Sequence, residues 1–160
     1  MSSQPTQTIR RPRMTLAQYV HRRNGVPLGV SGSLRNMLYR SLGASSFAGF
    51  WRYWNPIFGY GLARYVNTPL RRVLPSALAL IMTFVVCGAL HDLVATSIRG
   101  SVTLPFSTWF LVLGVGVVLG RAVRMDLSGR SWATRASVNL TYLVICLVVA
   151  IVVRRVLGIP

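Results

Sequence analysis

Apolar residues are spaced differently in successive parts of this chain, and each spacing predicts a different element. Residues 1–13 are polar and basic, with two prolines and three arginines, a composition that predicts a disordered tail. From residue 14 to 24 a short helix is expected, ending before Gly25 and Pro27. Ser33 is a residue type suited to capping the next helix, in which Leu34, Met37, Leu38 and Leu42 recur at helical spacing. Arg35, Asn36 and Arg40 fall on its other faces. Such a helix either lies in a membrane interface or packs its apolar stripe on the protein's own core, and the pattern is compatible with both.

Three later runs are apolar on every face, which is the signature of membrane spans. Pro75 opens the first, which reaches about residue 95; Pro105 opens the second, to about residue 120; the third covers roughly residues 137–153. At about 1.5 Å per residue the last two are barely long enough to cross, so longer helices or local thinning are expected. Arg154 and Arg155 are placed to snorkel at the end of the third. Residues 47–66 are also long enough to span, but Arg52, Pro56, Arg64 and the sequence Phe58-Gly59-Tyr60-Gly61 interrupt them. Trp51, Tyr53, Trp54, Tyr60 and Tyr65 are the aromatics that favour headgroup depth. A broken interfacial or re-entrant segment is predicted, which at membrane depth needs protein or a water-filled cavity around it. The expected fold is an all-α integral membrane protein. About three transmembrane helices, within residues 75–160, follow amphipathic and re-entrant interfacial helices in residues 14–74.

Charge sharpens this picture. All 18 basic residues are arginine, against two aspartates, Asp92 and Asp126, giving a net charge of +16. A polyanionic partner follows, either nucleic acid or the anionic face of a bilayer. The spans favour membrane lipids and leave no soluble basic face for nucleic acid over most of the chain. Eleven arginines precede the first span, four lie between the second and third, one (Arg99) lies in the other loop and two follow the third. With a cytoplasmic N-terminus this places fifteen arginines inside and three outside, as the positive-inside rule requires. A fourth span through residues 47–66 would divide them more evenly. The chain is therefore expected to be a multi-pass protein of the cell membrane. The first forty residues hold no apolar core of a cleaved signal, so insertion is expected to rely on the internal spans. Cys87 and Cys146 sit inside apolar runs, without a CxxC or a His-rich tract, and predict neither a disulfide framework nor a metal site. Gly114, Gly116 and Gly120 have the wrong spacing and context for a dinucleotide site. Gly116 and Gly120 form instead a small-xxx-small pattern that lets another helix approach.

Chemistry concentrates at His91-Asp92, late in the first apolar run, where ionisable groups are costly and often functional. A neutral imidazole there suits a general base that takes the proton of a hydroxyl attacking a thioester, with no covalent enzyme intermediate. Asp92 is no obvious orienting partner, because adjacent helical residues point about 100° apart. The plain alternative is that the pair simply ends the helix at the headgroups.

Three segments carry a resemblance. They are Phe50-Trp51-Arg52-Tyr53-Trp54-Asn55-Pro56; then Leu62-Ala63-Arg64-Tyr65-Val66-Asn67-Thr68-Pro69-Leu70-Arg71-Arg72; then Cys87-Gly88-Ala89-Leu90-His91-Asp92. In order and approximate spacing, over residues 46–95, they resemble the C-terminal core of the membrane-bound O-acyltransferase family. The resemblance implies His91 as catalytic histidine and Asn55 as the polar residue working with it, its amide hydrogen-bonding the thioester carbonyl. A helix-breaking Asn-Pro turn is the plain alternative for Asn55. Arg52, Arg64, Arg71 and Arg72 would pair with phosphates of acyl-CoA or a lipid headgroup, unless they are only a positive-inside cluster. Trp51 and Trp54 would line an acyl path or anchor the interface. No tightly bound cofactor is implied, only an acyl-CoA-like donor as co-substrate. The implied activity is acyl transfer from that thioester to a lipid or glycan hydroxyl. Two departures stand out: relatives often carry Glu or Gly where Asp92 stands, and they have many more spans. Three spans cannot enclose a reaction chamber, so a homo-oligomer or another integral membrane subunit is expected. The alternative is a non-catalytic membrane subunit or scaffold.

Overall fold

A computed structural model describes residues 14–100 and 104–158; the expected tail over residues 1–13 lies outside the described residues. Helix α1, Leu16–Asn24, opens with a reciprocal cap. The Thr15 hydroxyl accepts from the Gln18 N–H (3.3 Å), and the Gln18 side chain accepts from the Thr15 N–H (3.0 Å). It closes at Gly25 in the left-handed region. Helix α2, Ser33–Leu42, departs from the sequence reading at its start. Gly32, at φ 84°, takes the cap position without a side-chain bond. The Ser33 hydroxyl is instead claimed by the buried Asn24, whose Nδ2 donates to it at 2.6 Å. Asn36 Nδ2 donates back to the Asn24 carbonyl (3.2 Å), so polar stitches join α1 and α2. Leu34 and Leu38 remain exposed.

Residues 47–66 are broken, as expected, and do not form one span. Helix α3, Phe47–Tyr53, is capped by Ser46 and ends at Trp54. Asn55 then adopts φ 39°, ψ 71°, and Pro56 starts α4, Pro56–Gly61. A π-helical turn, Leu62–Asn67, and the short α5, Thr68–Leu70, continue it without a gap. The wide turn is secured by the Thr68 hydroxyl, which donates to the Ala63 carbonyl five residues back (2.8 Å).

Three long helices follow, each long and apolar enough to cross a membrane: α6, Ser76–Arg99; α7, Pro105–Ala122; and α8, Trp132–Leu157. All outlast the apolar runs that announced them. Helix α8 starts at residue 132 because Ser131 caps it, accepting from the Thr134 N–H at 3.2 Å, so its polar first turn is helical. At 26 residues it is about 39 Å long. The residues of α4 to α5 run antiparallel to α6, since Phe58 packs on His91 while Asn67 Nδ2 donates to the Thr83 hydroxyl (3.0 Å).

Helices α6 and α7 touch backbone to backbone at two glycines. A Cβ on Gly88 would lie 2.6 Å from the Phe106 carbonyl oxygen, and one on Gly114 would lie 3.2 Å from Ile81 Cα. Lipid supplies no water to exclude, so such close packing and its hydrogen bonds hold spans together. Against α7 and α8 packs α3 with Phe47 and Phe50, which are buried with Cys87, Phe110, Leu113, Val117 and Cys146. The entrance of α3 is fixed by α8. Asn139, fully buried, donates through Nδ2 to the carbonyls of Leu42 (2.8 Å) and Ala44 (3.0 Å), and the Trp132 indole donates to the Tyr39 carbonyl (3.0 Å). Replacing Asn139 with alanine strands two carbonyls. Thermal unfolding should register a loss of about 1–3 kcal/mol, the usual cost of unsatisfied buried polar groups; an unchanged Tm would show that this anchor is dispensable.

The pattern read at Gly116 and Gly120 divides. Gly116 is used inside the chain: the Tyr142 hydroxyl donates to its carbonyl, and the ring fills the space a side chain would need. Gly120 faces open space. Gly116→Leu is therefore expected to part α7 from α8 at a cost of about 1–3 kcal/mol, whereas Gly120→Leu should leave monomer stability within about 0.5 kcal/mol. Thermal denaturation of the two variants in one detergent compares them; equal losses would contradict the assignment.

Candidate functional site

His91 lies on the fifth turn of α6 with its side chain exposed to a cleft. Its Nδ1 donates to the Cys87 carbonyl one turn earlier, at 2.7 Å. A carbonyl can only accept, so the hydrogen sits on Nδ1, and in the neutral form of the ring the lone pair is on Nε2. Three phenylalanines box the imidazole. Phe110 stacks on it (5.1 Å between centroids, 28°), Phe106 is tilted against it (5.6 Å) and Phe58 meets it edge-on (6.0 Å, 86°). Phe106 and Phe110 share a face of α7 because they are four residues apart.

The cleft has a volume of about 680 Å³. Phe58, Leu90, Val94, Ile98 and Phe106 make its apolar walls, and Arg99 stands with His91 on the same lining. His91 and Arg99 are separated by about 12 Å of helix rise. Leu93, Val94 and Ile98 are exposed on the outward side of α6, so the cleft opens toward the surface that lipid or another helix would cover.

Asp92 points elsewhere. It is 2% exposed; Oδ1 accepts from the Phe106 N–H (2.9 Å) and Oδ2 from the Ser107 N–H (2.7 Å). These are among the amides that the first turn of a helix leaves without backbone partners, and the cap residue of α7, Leu104, offers no side-chain acceptor. A carboxylate there also complements the helix dipole. His91-Asp92 therefore does not end its helix at the headgroups: α6 continues about two turns to Arg99, and the pair divides between cleft and α7.

Asn55 forms the Asn-Pro turn. Its Oδ1 accepts from the Phe58 N–H (3.2 Å), and its own N–H donates to the Met37 sulfur (3.3 Å). It makes no hydrogen bond to His91 among the described residues; the turn it caps reaches the imidazole through Phe58. Trp51 lies in the interhelical core, edge-on to Phe84 (5.1 Å, 88°), with its indole N–H buried and unbonded among the described residues. Trp54 is partly exposed and stacks on Phe50 (5.3 Å). Neither tryptophan lines the cleft. Arg52, Arg71 and Arg72 are exposed, and Arg64 lies over the rings of Tyr60 and Tyr65. The Arg64 guanidinium donates to the Tyr60 hydroxyl, which raises its pKa. None of these four arginines lines the cleft either. Arg71 and Arg72 fall at the opposite end of α6 from His91, because α4 and α5 lead away from it.

Residues 34–113, half of the chain, match the model of the membrane bound O-acyl transferase family. The chain belongs to the membrane bound O-acyl transferase family. No curated protein and no solved structure matches it. Family membership brings a membrane acyltransferase-like role in general terms. The matched stretch holds α2 from its second residue, α3 through α6 and the first half of α7, and with them His91, Asp92, all three phenylalanines of the box and the whole cleft lining.

Sequence reading missed Asp92's role, the phenylalanine box and Arg99. Asp92 had a signal: a helix opening at Leu104-Pro105 without a capping side chain needs an acceptor from elsewhere, and the chain has two carboxylates in all. The other, Asp126, is taken by the Ser128 N–H and hydroxyl, both at 2.9 Å.

Proposed function

We propose that this chain transfers an acyl group from a thioester donor such as acyl-CoA to a lipid or glycan hydroxyl, with Nε2 of His91 as general base. The observation that carries the reading is the imidazole's setting, with Nδ1 committed to the Cys87 carbonyl and the ring exposed to an apolar cleft. In the reaction the acceptor hydroxyl gives its proton to Nε2 while its oxygen attacks the thioester carbonyl. The tetrahedral adduct collapses, the carbon–sulfur bond breaks, and the thiolate leaves with the proton from the imidazolium. Asn55 is the proposed oxyanion donor through its amide nitrogen, which has no hydrogen bond among the described residues. The acyl path is assigned to the cleft wall of Leu90, Val94 and Ile98, with Trp51 behind it against Phe110 and Trp54 against Phe50. Arg52, Arg64, Arg71 and Arg72 are assigned to phosphates of the donor or headgroups, with Arg99 as a further cation on the cleft.

The protein is proposed to reside in the cell membrane with its N-terminus in the cytoplasm, binding membrane lipids and no nucleic acid. The apolar windows of α6, α7 and α8 are only 28%, 33% and 22% buried within the chain, which leaves most of their surface for other helices or lipid. A second copy or another integral membrane subunit would complete the chamber. Purified with whatever subunits accompany it and placed in native-lipid vesicles, the protein is expected to move a labelled acyl chain from acyl-CoA into an ester. An intact assembly that transfers nothing would leave the alternative, a non-catalytic membrane subunit.

A further inference from the structure

We propose that Asp92 is a positioning residue for His91, acting through the first turn of α7. One turn of α6 supplies both groups: His91 faces the cleft while the adjacent Asp92, buried, holds the amides of Phe106 and Ser107. Phe106 is thus the hydrogen-bonded residue at one end and a wall of the imidazole box at the other, 5.6 Å from the ring. Gly88, one turn before Asp92, lets the Phe106 backbone come this close. Phe110, one turn on, stacks on the imidazole in the same register. Asp92 accordingly sets the α6–α7 register at the point where that register decides which way the imidazole faces. Its effect on rate rests on the proposed role of His91; its effect on ring geometry does not.

Selective 15N-histidine labelling separates the two. His91 and His21 are the only histidines, so His21→Gln leaves a single imidazole in the NMR spectrum of the full chain. The parent should show one tautomer, with the hydrogen on Nδ1. Asp92→Asn, which turns one acceptor into a donor facing a backbone N–H, should show both tautomers. Phe106→Leu, which keeps the amides and removes the ring, should do the same; should Asp92→Asn not fold, this variant carries the test. In acyl transfer each change should lower kcat by about 10²-fold, the usual effect of a misplacement of about 1 Å, with KM little altered. The double variant should lose no more than either single change, because both act through one wall. An unmoved tautomer in both variants, or losses that multiply, would overturn the proposal. Mixed tautomers in a protein whose parent transfers nothing would uphold Asp92 and remove the acyltransferase reading.

Discussion

His91→Gln is expected to lower acyl transfer by about 10²–10⁴-fold, the contribution of a positioned general base. Glutamine keeps polarity and helix propensity at this position. Its amide nitrogen donates where Nε2 would accept, so the acceptor hydroxyl keeps its proton. Because the base acts in the transition state, kcat and kcat/KM should fall together while KM stays level. The side chain is exposed to the cleft and is not part of the core of Phe47, Phe50, Leu113 and Val117. Membrane insertion and assembly should therefore match the parent by gel filtration in detergent. A variant that assembles and turns over at the parent rate would reject His91 as base.

The largest loss of stability is expected from Gly88→Val. The added Cβ would sit 2.6 Å from the Phe106 carbonyl oxygen and 2.8 Å from Ser107 Cα, and neither backbone atom can rotate away. Relief requires α6 and α7 to separate at the turn where Asp92 bonds two amides. Overpacking of this kind costs about 1–3 kcal/mol, and each buried polar group left unpaired costs about 1–3 kcal/mol more. Thermal melting should drop well below that of Gly120→Leu. Hydrogen exchange at the Phe106 and Ser107 amides should accelerate, and transfer should fall as the phenylalanine box opens. Parent-like melting with protected amides would show that the two helices do not depend on this contact.

What the sequence made legible was local. The three spans stand out because their apolar runs are continuous, although the helices extend beyond them through polar turns such as the one Ser131 caps. The break after Trp54 was readable from Asn55-Pro56. The course of α4 and α5 beside α6 was not, since it is defined by pairs far apart in sequence, Phe58 with His91 and Asn67 with Thr83. His91 drew attention as a rare ionisable residue in an apolar run, and its hydrogen bond to Cys87 is one turn away. Asp92 was opaque for the opposite reason: its acceptor role is spent 14 and 15 residues downstream, across a turn. Ser33 shows how a good local signal is overridden, because a buried asparagine from α1 takes the hydroxyl that would have capped α2.

All of this depends on substrate reaching Nε2 in the assembled protein. A structure of the complete assembly in lipid, bound to an acyl-thioester analogue and an acceptor alcohol, should place the alcohol oxygen about 2.6–3.2 Å from Nε2 of His91, with the acyl chain along Leu90, Val94 and Ile98. A neighbouring helix filling that cleft, with the analogue bound elsewhere, would contradict it.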